Sequence, residues 1–227
     1  MVRFLLTSSN YHLCIGTAFF IQVVCFGGTL WTGWNPIWNT IGVVLFTWYE
    51  YVSHRFILHY TNDGQLYHYL HGNHHLKPHG KSIHIPILYT TMSSLFYFYV
   101  LSYISYQAAW NAMTAYQVCY IIFEHIHMEV HHPHWFQQEY TFRISHMYHH
   151  TVNKNKGYAF TTPTWDILYG TFPTEVLAYN WFAYLPIPVI SFYFGTYPSH
   201  GQNMRMIGQE SSKRQIVIMD NNDVFLN

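Results

Sequence analysis

The stretch IIFEHIHMEVHH (residues 121–132) contains the two features that decide the fold, because an apolar run leads directly into a cluster of histidines. The apolar run closes a stretch of 42 residues without Asp, Glu, Lys or Arg, residues 82–123, and a second such stretch of 46 residues spans 4–49. A bilayer core needs about 20 helical residues per pass. Each uncharged stretch therefore has room for two membrane passes joined by a turn.

The composition also favours a membrane protein. Of the 227 residues, 50% are hydrophobic and 20% aromatic, whereas 9% are charged, against roughly 25% in a typical soluble domain. Ten basic residues balance ten acidic ones, so no charge field indicates nucleic acid as a partner. The three cysteines, Cys14, Cys25 and Cys119, are too few and too scattered for a disulfide framework or a thiolate metal site. These observations disfavour an ordinary soluble enzyme and a disordered chain.

The centre of each uncharged stretch predicts a turn, because residues 31–36 combine Trp, Gly and Pro and residues 107–111 contain Gln, Trp and Asn. The four predicted passes are residues 11–30, 37–49, 87–106 and 112–123, the second continuing as a helix beyond the membrane. A soluble protein this short could not cover four such helices. We therefore expect an all-α integral membrane protein with four transmembrane helices in two hairpins.

Two hairpins return the chain to its starting side each time, so the segments between them share one face. That face contains the basic residues Arg3, Arg55, Lys77, Lys81, Arg143, Lys154 and Lys156. The two predicted turns contain no Lys or Arg. The positive-inside rule therefore predicts that the shared face is cytosolic. We separately expect the membrane to be the endoplasmic reticulum if the source is eukaryotic.

These expectations divide the chain into four parts. They are an N-terminal membrane hairpin (1–44), a region that contains the second hairpin at about 87–123 and most of the histidines (45–175), an interfacial or re-entrant segment interrupted by Pro186 and Pro188 (176–200), and a polar tail expected to be disordered (201–227).

The histidines form four spaced clusters that favour metal binding. The clusters read H-x4-H, H-x2-H-H, H-x3-H and H-x2-H-H, and their members are His54, His59, His71, His74, His75, His127, His131, His146, His149 and His150. Residues three or four apart share one helix face, and neutral imidazole binds iron, zinc, copper and nickel. Ten imidazoles are too many for one ion and enough for two, so a cytosolic, histidine-rich helical cap is expected to hold a dinuclear site.

The other eight histidines do not fit the clusters. They are His12, His68, His79, His84, His125, His132, His134 and His200. We expect structural, interfacial or proton-relay roles for them rather than direct metal ligation.

Two glutamates are placed to support the ligands. Glu50 lies four residues before His54, and Glu124 lies three before His127. Metal-bound histidines commonly donate their second ring N–H to a carboxylate or a carbonyl, so support of these histidines is the preferred role. An ion pair, since Arg55 and other basic residues are close in sequence, or a place on the helix surface stays open as the alternative, as does direct ligation.

The cluster order resembles that of the membrane-bound fatty acid hydroxylase and sterol desaturase superfamily, over residues of about 45–175. Within it, the sequence is most similar to fatty acid 2-hydroxylases, which act on acyl chains of ceramides and other sphingolipids. Three stretches carry that similarity: EYVSHRFILH (50–59), HGNHHLKP (71–78) followed by Pro86, and NKGYAFTTPTWDILYGT (155–171).

The resemblance implies an enzyme, a non-haem di-iron-type monooxygenase that uses O2 to hydroxylate carbon 2 of fatty acyl chains. The ten clustered histidines would bind two metal ions, iron being expected and zinc able to occupy such sites. Asp166 matches the aspartate of the family's Trp-Asp pair, and either accepts a hydrogen bond from a ligating histidine or has a helix-cap or turn role. No catalytic residue beyond the metal centre is predicted.

Many fungal and animal 2-hydroxylases carry a cytochrome b5-type haem domain before the membrane part. Here about ten residues precede the first predicted pass, so the expected partners include a separate electron donor such as cytochrome b5 and its reductase, besides the lipid acyl substrate and O2.

Two alternatives remain open from the sequence. The first is a sterol or carotenoid desaturase or hydroxylase that uses the same kind of centre. The second is a histidine-rich metal transporter or store, although transporters place ionisable ligands within their passes and these ligands lie beyond the predicted ones.

Overall fold

The computed structural model describes residues 11–59, 71–76, 87–131 and 141–199, with backbone alone at 11–14 and 87–90. The predicted tail 201–227 and most of the histidines outside the clusters lie outside the described residues. The described chain is mostly helical and divides into two compact units. The first unit contains residues up to 136 together with 186–188, and the second contains 137–185 and residues from 189 onward.

Over the described residues, the first unit contains four helices of 16 to 26 residues, a π-helical turn and a one-turn helix. In chain order its helices are α1 (Tyr11–Thr32), α2 (Pro36–Val52), a π-helical turn (Ser53–Leu58), α3 (Asn73–Leu76), α4 (Ile87–Ser102) and α5 (Tyr106–His131). Helices α1, α2 and α4 all pack against α5, so α5 is the central helix of this unit.

Small residues let α2 approach α5 closely. A Cβ atom at Gly42 would overlap the backbone carbonyl of Ala112, so a larger residue cannot occupy this position without moving one helix. One turn along α2, the ring of Phe46 packs edge-on against Tyr116, at 5.2 Å, and also contacts Phe123, at 6.2 Å between centroids. This packing places the histidine-bearing ends of α2 and α5 within one unit.

The predicted turn at 31–36 is confirmed, since α1 ends at Thr32 and α2 begins at Pro36. The Asn35 side chain caps α2 by accepting a hydrogen bond from the Ile37 N–H at 3.0 Å. The buried Asn111 of α5 holds the turn, because its Oδ1 accepts from the Asn35 N–H at 2.7 Å and its Nδ2 donates to the Gly33 carbonyl at 2.9 Å.

The predicted turn at 107–111 is wrong, because these residues lie within α5 and the chain turns at 103–105 instead. The Ser105 hydroxyl accepts a hydrogen bond from the Ala108 N–H at 3.0 Å and starts the helix earlier. Gln107 and Asn111, whose polarity suggested a turn, direct their amides to the carbonyls of the neighbouring turn at Thr32 and Gly33. Pass three accordingly ends at Ser102 rather than at residue 106.

Within the described residues, one helix is long and apolar enough to cross a membrane, the segment Ile15–Thr32 of α1. Its exposed side chains are apolar and aromatic, and include Phe19, Phe20, Phe26 and Leu30. The other three predicted passes also lie in helices, α2, α4 and α5. That these three helices cross a membrane stays a prediction.

The second unit contains α6 (Thr141–Thr151), α7 (Thr164–Leu168), β1 (Leu177–Tyr179), a 3-10 turn (Trp181–Tyr184), α8 (Ile190–Gly195) and β2 (Thr196–Pro198). The strands pair antiparallel, with Leu177 opposite Pro198. Ile144 and Tyr148 of α6 pack against Phe172, Val176 and Leu177 to form its apolar core. The predicted interfacial segment 176–200 thus has short strands and a one-turn helix, with Trp181, Tyr193 and Phe194 exposed; its place at an interface remains a prediction.

Candidate metal centre

A π-helical turn brings the first pair of histidines together. His54 lies in the turn Ser53–Leu58 and His59 follows it directly. Residues five apart in an α-helix point to different sides, but i→i+5 bonding aligns them, and π turns recur at functional sites. The two ring centroids are 5.0 Å apart, and both side chains are buried. The H-x4-H spacing therefore matches the local helix type.

Four histidines of the first unit converge. The ring nitrogens that could bind an ion in His54, His59, His71 and His75 all lie within 4.8 Å of one another. The Nε2 atom of His71 lies 2.9 Å from Nε2 of His54 and 3.0 Å from Nε2 of His75. His71 is thus the central member of this group, which we call the His71 set.

A second group in the same unit involves helix α5. His127 and His131 lie one turn apart on α5 and are both buried, with their Nε2 atoms 3.2 Å apart. The ring of His74 lies 5.0 Å from that of His127 and 4.5 Å from that of His131. His125, two residues before His127 on the same helix, is exposed instead. The H-x2-H-H cluster 71–75 therefore divides its rings between two groups.

The second unit contributes the last cluster on α6. The Nε2 atoms of His146 and His150 are 3.0 Å apart, one turn of helix from each other. His149 is fully buried, and its Nδ1 donates a hydrogen bond to the carbonyl oxygen of Lys156 at 2.9 Å. The rings of Phe160 and Tyr158 lie against His146 and His149, respectively. Residues of the loop after α6 therefore fix the orientation of two of these rings.

The spacing of the paired nitrogens fits metal ligation. Two nitrogens that each lie about 2.1 Å from one ion, at right angles to each other, are separated by about 3.0 Å. The observed Nε2–Nε2 separations are 2.9, 3.0, 3.2 and 3.0 Å. In each of these four pairs, the Nε2 atom of one ring faces the Nε2 atom of the other. Histidine groups of this geometry could hold a metal ion.

The electrostatics also suit a ligand role. Burial lowers the pKa of His71 well below its ordinary value, and the nearby rings of His75 and His54 lower it further. Burial has the same effect on the pKa of His74, with His131 and His127 as the main neighbours. Both rings are therefore neutral at pH 7, which is the form of imidazole that binds metals.

The predicted carboxylates are buried in the first unit. Glu124 is fully buried on α5, and its Oε1 accepts a hydrogen bond from the Tyr120 hydroxyl at 2.8 Å. Glu50 is buried on α2, so the helix-surface alternative does not describe it, and the ion-pair alternative stays open. Their support of His127 and His54 stays a prediction.

Asp166 organises the loop after α6. Its buried carboxylate accepts hydrogen bonds from the Tyr158 N–H and the Thr171 hydroxyl at Oδ1, at 3.1 and 2.6 Å, and from the Ala159 N–H at Oδ2, at 2.8 Å. These donors are backbone and hydroxyl groups of residues 158–171, which fits the turn role considered from the sequence. A hydrogen bond from a ligating histidine to Asp166 stays a prediction.

Sequence reasoning missed three contributors to the site. Tyr120 lies four residues before Glu124, a same-face spacing that could have identified it. Glu129 lies between His127 and His131 in the sequence and is also buried, although residues two apart usually point to different faces. The Lys156 carbonyl has no signal in the sequence, because every residue has one.

The sequence that forms this arrangement matches a known protein family. The model of the family described as "Fatty acid hydroxylase" matches residues 39–171, which include all ten clustered histidines and Asp166. The chain belongs to the fatty acid hydroxylase family. The resemblance inferred from the histidine clusters is therefore confirmed.

Two known proteins are similar to this chain over 141 residues each. The dihydroceramide fatty acyl 2-hydroxylase FAH1 of Arabidopsis thaliana is 28% identical, over 59% of this chain and 60% of that protein. The ceramide very long chain fatty acid hydroxylase SCS7 of Saccharomyces cerevisiae is 27% identical, over 58% of this chain and 37% of that protein. The chain thus spans less than two thirds of either relative.

A solved structure shares the fold. It is full-length scs7p, of which only the hydroxylase domain is visible, and it matches with a TM-score of 0.62 at 22% identity. The match covers 74% of this chain and 68% of that one. At this identity, the similarity establishes the fold of the hydroxylase domain and nothing about the substrate.

Proposed function

We propose that this family member is a membrane-bound, O2-dependent monooxygenase that hydroxylates carbon 2 of fatty acyl chains, either free or within ceramides. The observation that carries the proposal is the set of Nε2 pairs 2.9–3.2 Å apart in a chain of the fatty acid hydroxylase family. The names of the two relatives, both ceramide-type acyl hydroxylases, support the acyl substrate.

The proposed centre contains two metal ions, with iron as the expected metal. Its proposed ligands are the ten clustered histidines. When bound, the ions supply the activation of dioxygen, which no protein side chain can perform unaided. The neutral, buried rings of His71 and His74 support this role, because they bind a cation without first losing a proton.

The reaction breaks one C–H bond next to the acyl carbonyl and forms one C–O bond with an atom from O2. The second oxygen atom leaves as water, which requires two electrons and two protons from outside the substrate. We propose that a separate donor, such as cytochrome b5 with its reductase, supplies the electrons. The protein holds the ligands in place, excludes water through the burial of the rings, and presents the first carbons of the chain.

We further propose that the chain crosses the membrane four times, in two hairpins, with the histidines on the cytosolic side of the endoplasmic reticulum. The apolar segment Ile15–Thr32 and the exposed apolar rings of α1 and α4, among them Phe20 and Phe96, support a lipid environment. The basic residues Arg55, Arg143 and Lys154 support the cytosolic side.

Lipid mass spectrometry under ¹⁸O2 tests the proposal. The protein would be expressed in cells that lack their own 2-hydroxylase, with and without a co-expressed cytochrome b5. We expect 2-hydroxyacyl lipids that carry one ¹⁸O atom at carbon 2. Oxidised or newly unsaturated sterols or carotenoids, with no 2-hydroxyacyl product, would instead favour the second enzyme class. Movement of metal across vesicles without any oxidised lipid would favour a transporter.

A further inference from the structure

We infer that Asp166 is a positioning residue for the metal ligand His149, acting through the backbone of residues 156–159. The inference deepens the proposed function and rests on its metal centre. All the groups concerned lie in the second unit. The sequence suggested direct contact with a histidine as one role of this aspartate, and the geometry points to an indirect one.

The first step is the anchoring of the loop. A carboxylate that accepts several hydrogen bonds is stable when buried, and Asp166 accepts three, two from the N–H groups of Tyr158 and Ala159 and one from the Thr171 hydroxyl. The backbone continues the same arrangement, because the Gly157 N–H donates to the Thr171 carbonyl at 2.8 Å. Asp166 therefore fixes the path of residues 157–159.

The second step is the contact of that loop with α6. Lys156 directly precedes the anchored residues, and its carbonyl accepts the hydrogen bond from His149 Nδ1 at 2.9 Å. Gly157 has a φ of +72°, and a Cβ atom there would lie 2.8 Å from the Ser145 carbonyl oxygen. The loop thus lies directly against the helix that bears His149, and a displaced loop would move the carbonyl acceptor.

The third step is the chemistry of the ring. A backbone carbonyl can only accept, so His149 has its proton on Nδ1. The neutral ring then presents its lone pair at Nε2, which is the nitrogen that can bind a metal ion. Loss of the Lys156 acceptor frees the ring to change tautomer and to rotate, which weakens one ligand of one ion.

Zinc binding to the full-length protein, purified in detergent, tests this inference by competition with a chromogenic chelator. We expect the wild type to bind two ions. Asp166→Asn keeps the shape of the side chain but presents an N–H group where one acceptor is needed. We expect it to weaken one of the two sites by about 10-fold, as for other residues that orient metal ligands, with the other site unchanged.

Two further variants keep the test decisive. Glu175→Gln removes the ion pair, 2.5 Å long, between Glu175 and Lys156 of the same loop. This variant should bind zinc at both sites with wild-type affinity. Thr171→Val removes one donor to Asp166 and should weaken the same single site to a smaller extent. It serves as the test if Asp166→Asn does not fold.

The inference is overturned if Asp166→Asn, or Thr171→Val where the first variant does not fold, binds both ions with wild-type affinity. It is equally overturned if both sites weaken in parallel with a lower unfolding temperature of the metal-free protein, since that is the result of a purely structural role. A wild type that binds two ions but does not hydroxylate lipid contradicts the proposed function alone. A wild type that binds no metal contradicts both.

Discussion

The His71 set of the first unit and His149 of the second unit are held in place in different ways. In the first unit, the rings of the His71 set contact one another, with His71 at 2.9 and 3.0 Å from His54 and His75. In the second unit, His149 donates to the carbonyl of Lys156, in a loop that Asp166 organises. The first arrangement depends on mutual ring contacts, and the second on hydrogen bonds to a loop.

This difference indicates how each region responds to a change. In a group of rings that contact one another, removal of the central ring changes the contacts of its neighbours. A ring anchored by a loop responds to substitutions several residues away that leave every ligand in place. The two regions should therefore differ in where sensitive positions occur, and the predictions below test that contrast.

The largest effect is expected from His71→Ala. Because His71 lies against several other rings of its set, its removal should lower the rate of hydroxylation by more than about 100-fold. This loss exceeds the one typical of residues that only orient metal ligands. Turnover of an acyl substrate by the purified protein measures this. His125→Ala, which changes an exposed histidine, is the control and should retain wild-type turnover. Equal activity of the two variants would contradict the assignment of the His71 set.

An intermediate effect is expected from Gly157→Ala in the loop of the second unit. The residue has a φ of +72°, which side chains rarely adopt, and the new Cβ would press on the Ser145 carbonyl. Backbone strain of this kind costs about 1–3 kcal/mol, and activity should fall although no ligand changes. Gly170→Ala is the matched control, because Gly170 has a φ of +71° and open space around it.

Thermal unfolding and turnover of both glycine variants separate the two causes. Strain alone should lower the stability of each variant to a similar extent. Only Gly157→Ala should also reduce turnover, because only Gly157 lies next to the Lys156 carbonyl. If both variants retain full turnover, the loop does not control His149, and the contrast between the two regions fails.

The smallest effect is expected from Tyr120→Phe. The change removes the hydroxyl that donates to Glu124 at 2.8 Å, and a typical hydrogen bond contributes about 0.5–1.5 kcal/mol. Since the first-unit rings also support one another, we expect lower stability by roughly this amount with a loss of turnover smaller than that of Gly157→Ala. A complete loss of turnover would show that Glu124 is essential to the ligands of the first unit.

Much of this architecture could be predicted from the sequence. The uncharged stretches identified the positions of α1, α2, α4 and α5. The cluster spacing identified the Nε2 pairs His71–His75, His127–His131 and His146–His150. The turn at 31–36 was also predictable, because Pro36 favours the first position of a helix. Each of these features is local, so periodicity and spacing are sufficient to reveal it.

The rest depends on contacts between distant residues. The residues Gln107 and Asn111 suggested a turn, but their amides bind carbonyls more than 70 residues away in the chain. The role of Asp166 depends on backbone groups, which have no signature in the sequence. The π turn at Ser53–Leu58 became evident only with the backbone, although the H-x4-H spacing is the one that such a turn aligns.

The most direct test of a two-ion centre formed by these histidines is the metal content of the purified protein. Cells supplied with iron would express the wild type, His127→Ala and His125→Ala, two variants that differ by two positions on one helix. We predict two ions per chain in the wild type and in His125→Ala, and a clear loss in His127→Ala with the helical content retained. No bound metal in the wild type, or equal metal in all three proteins, would contradict the account.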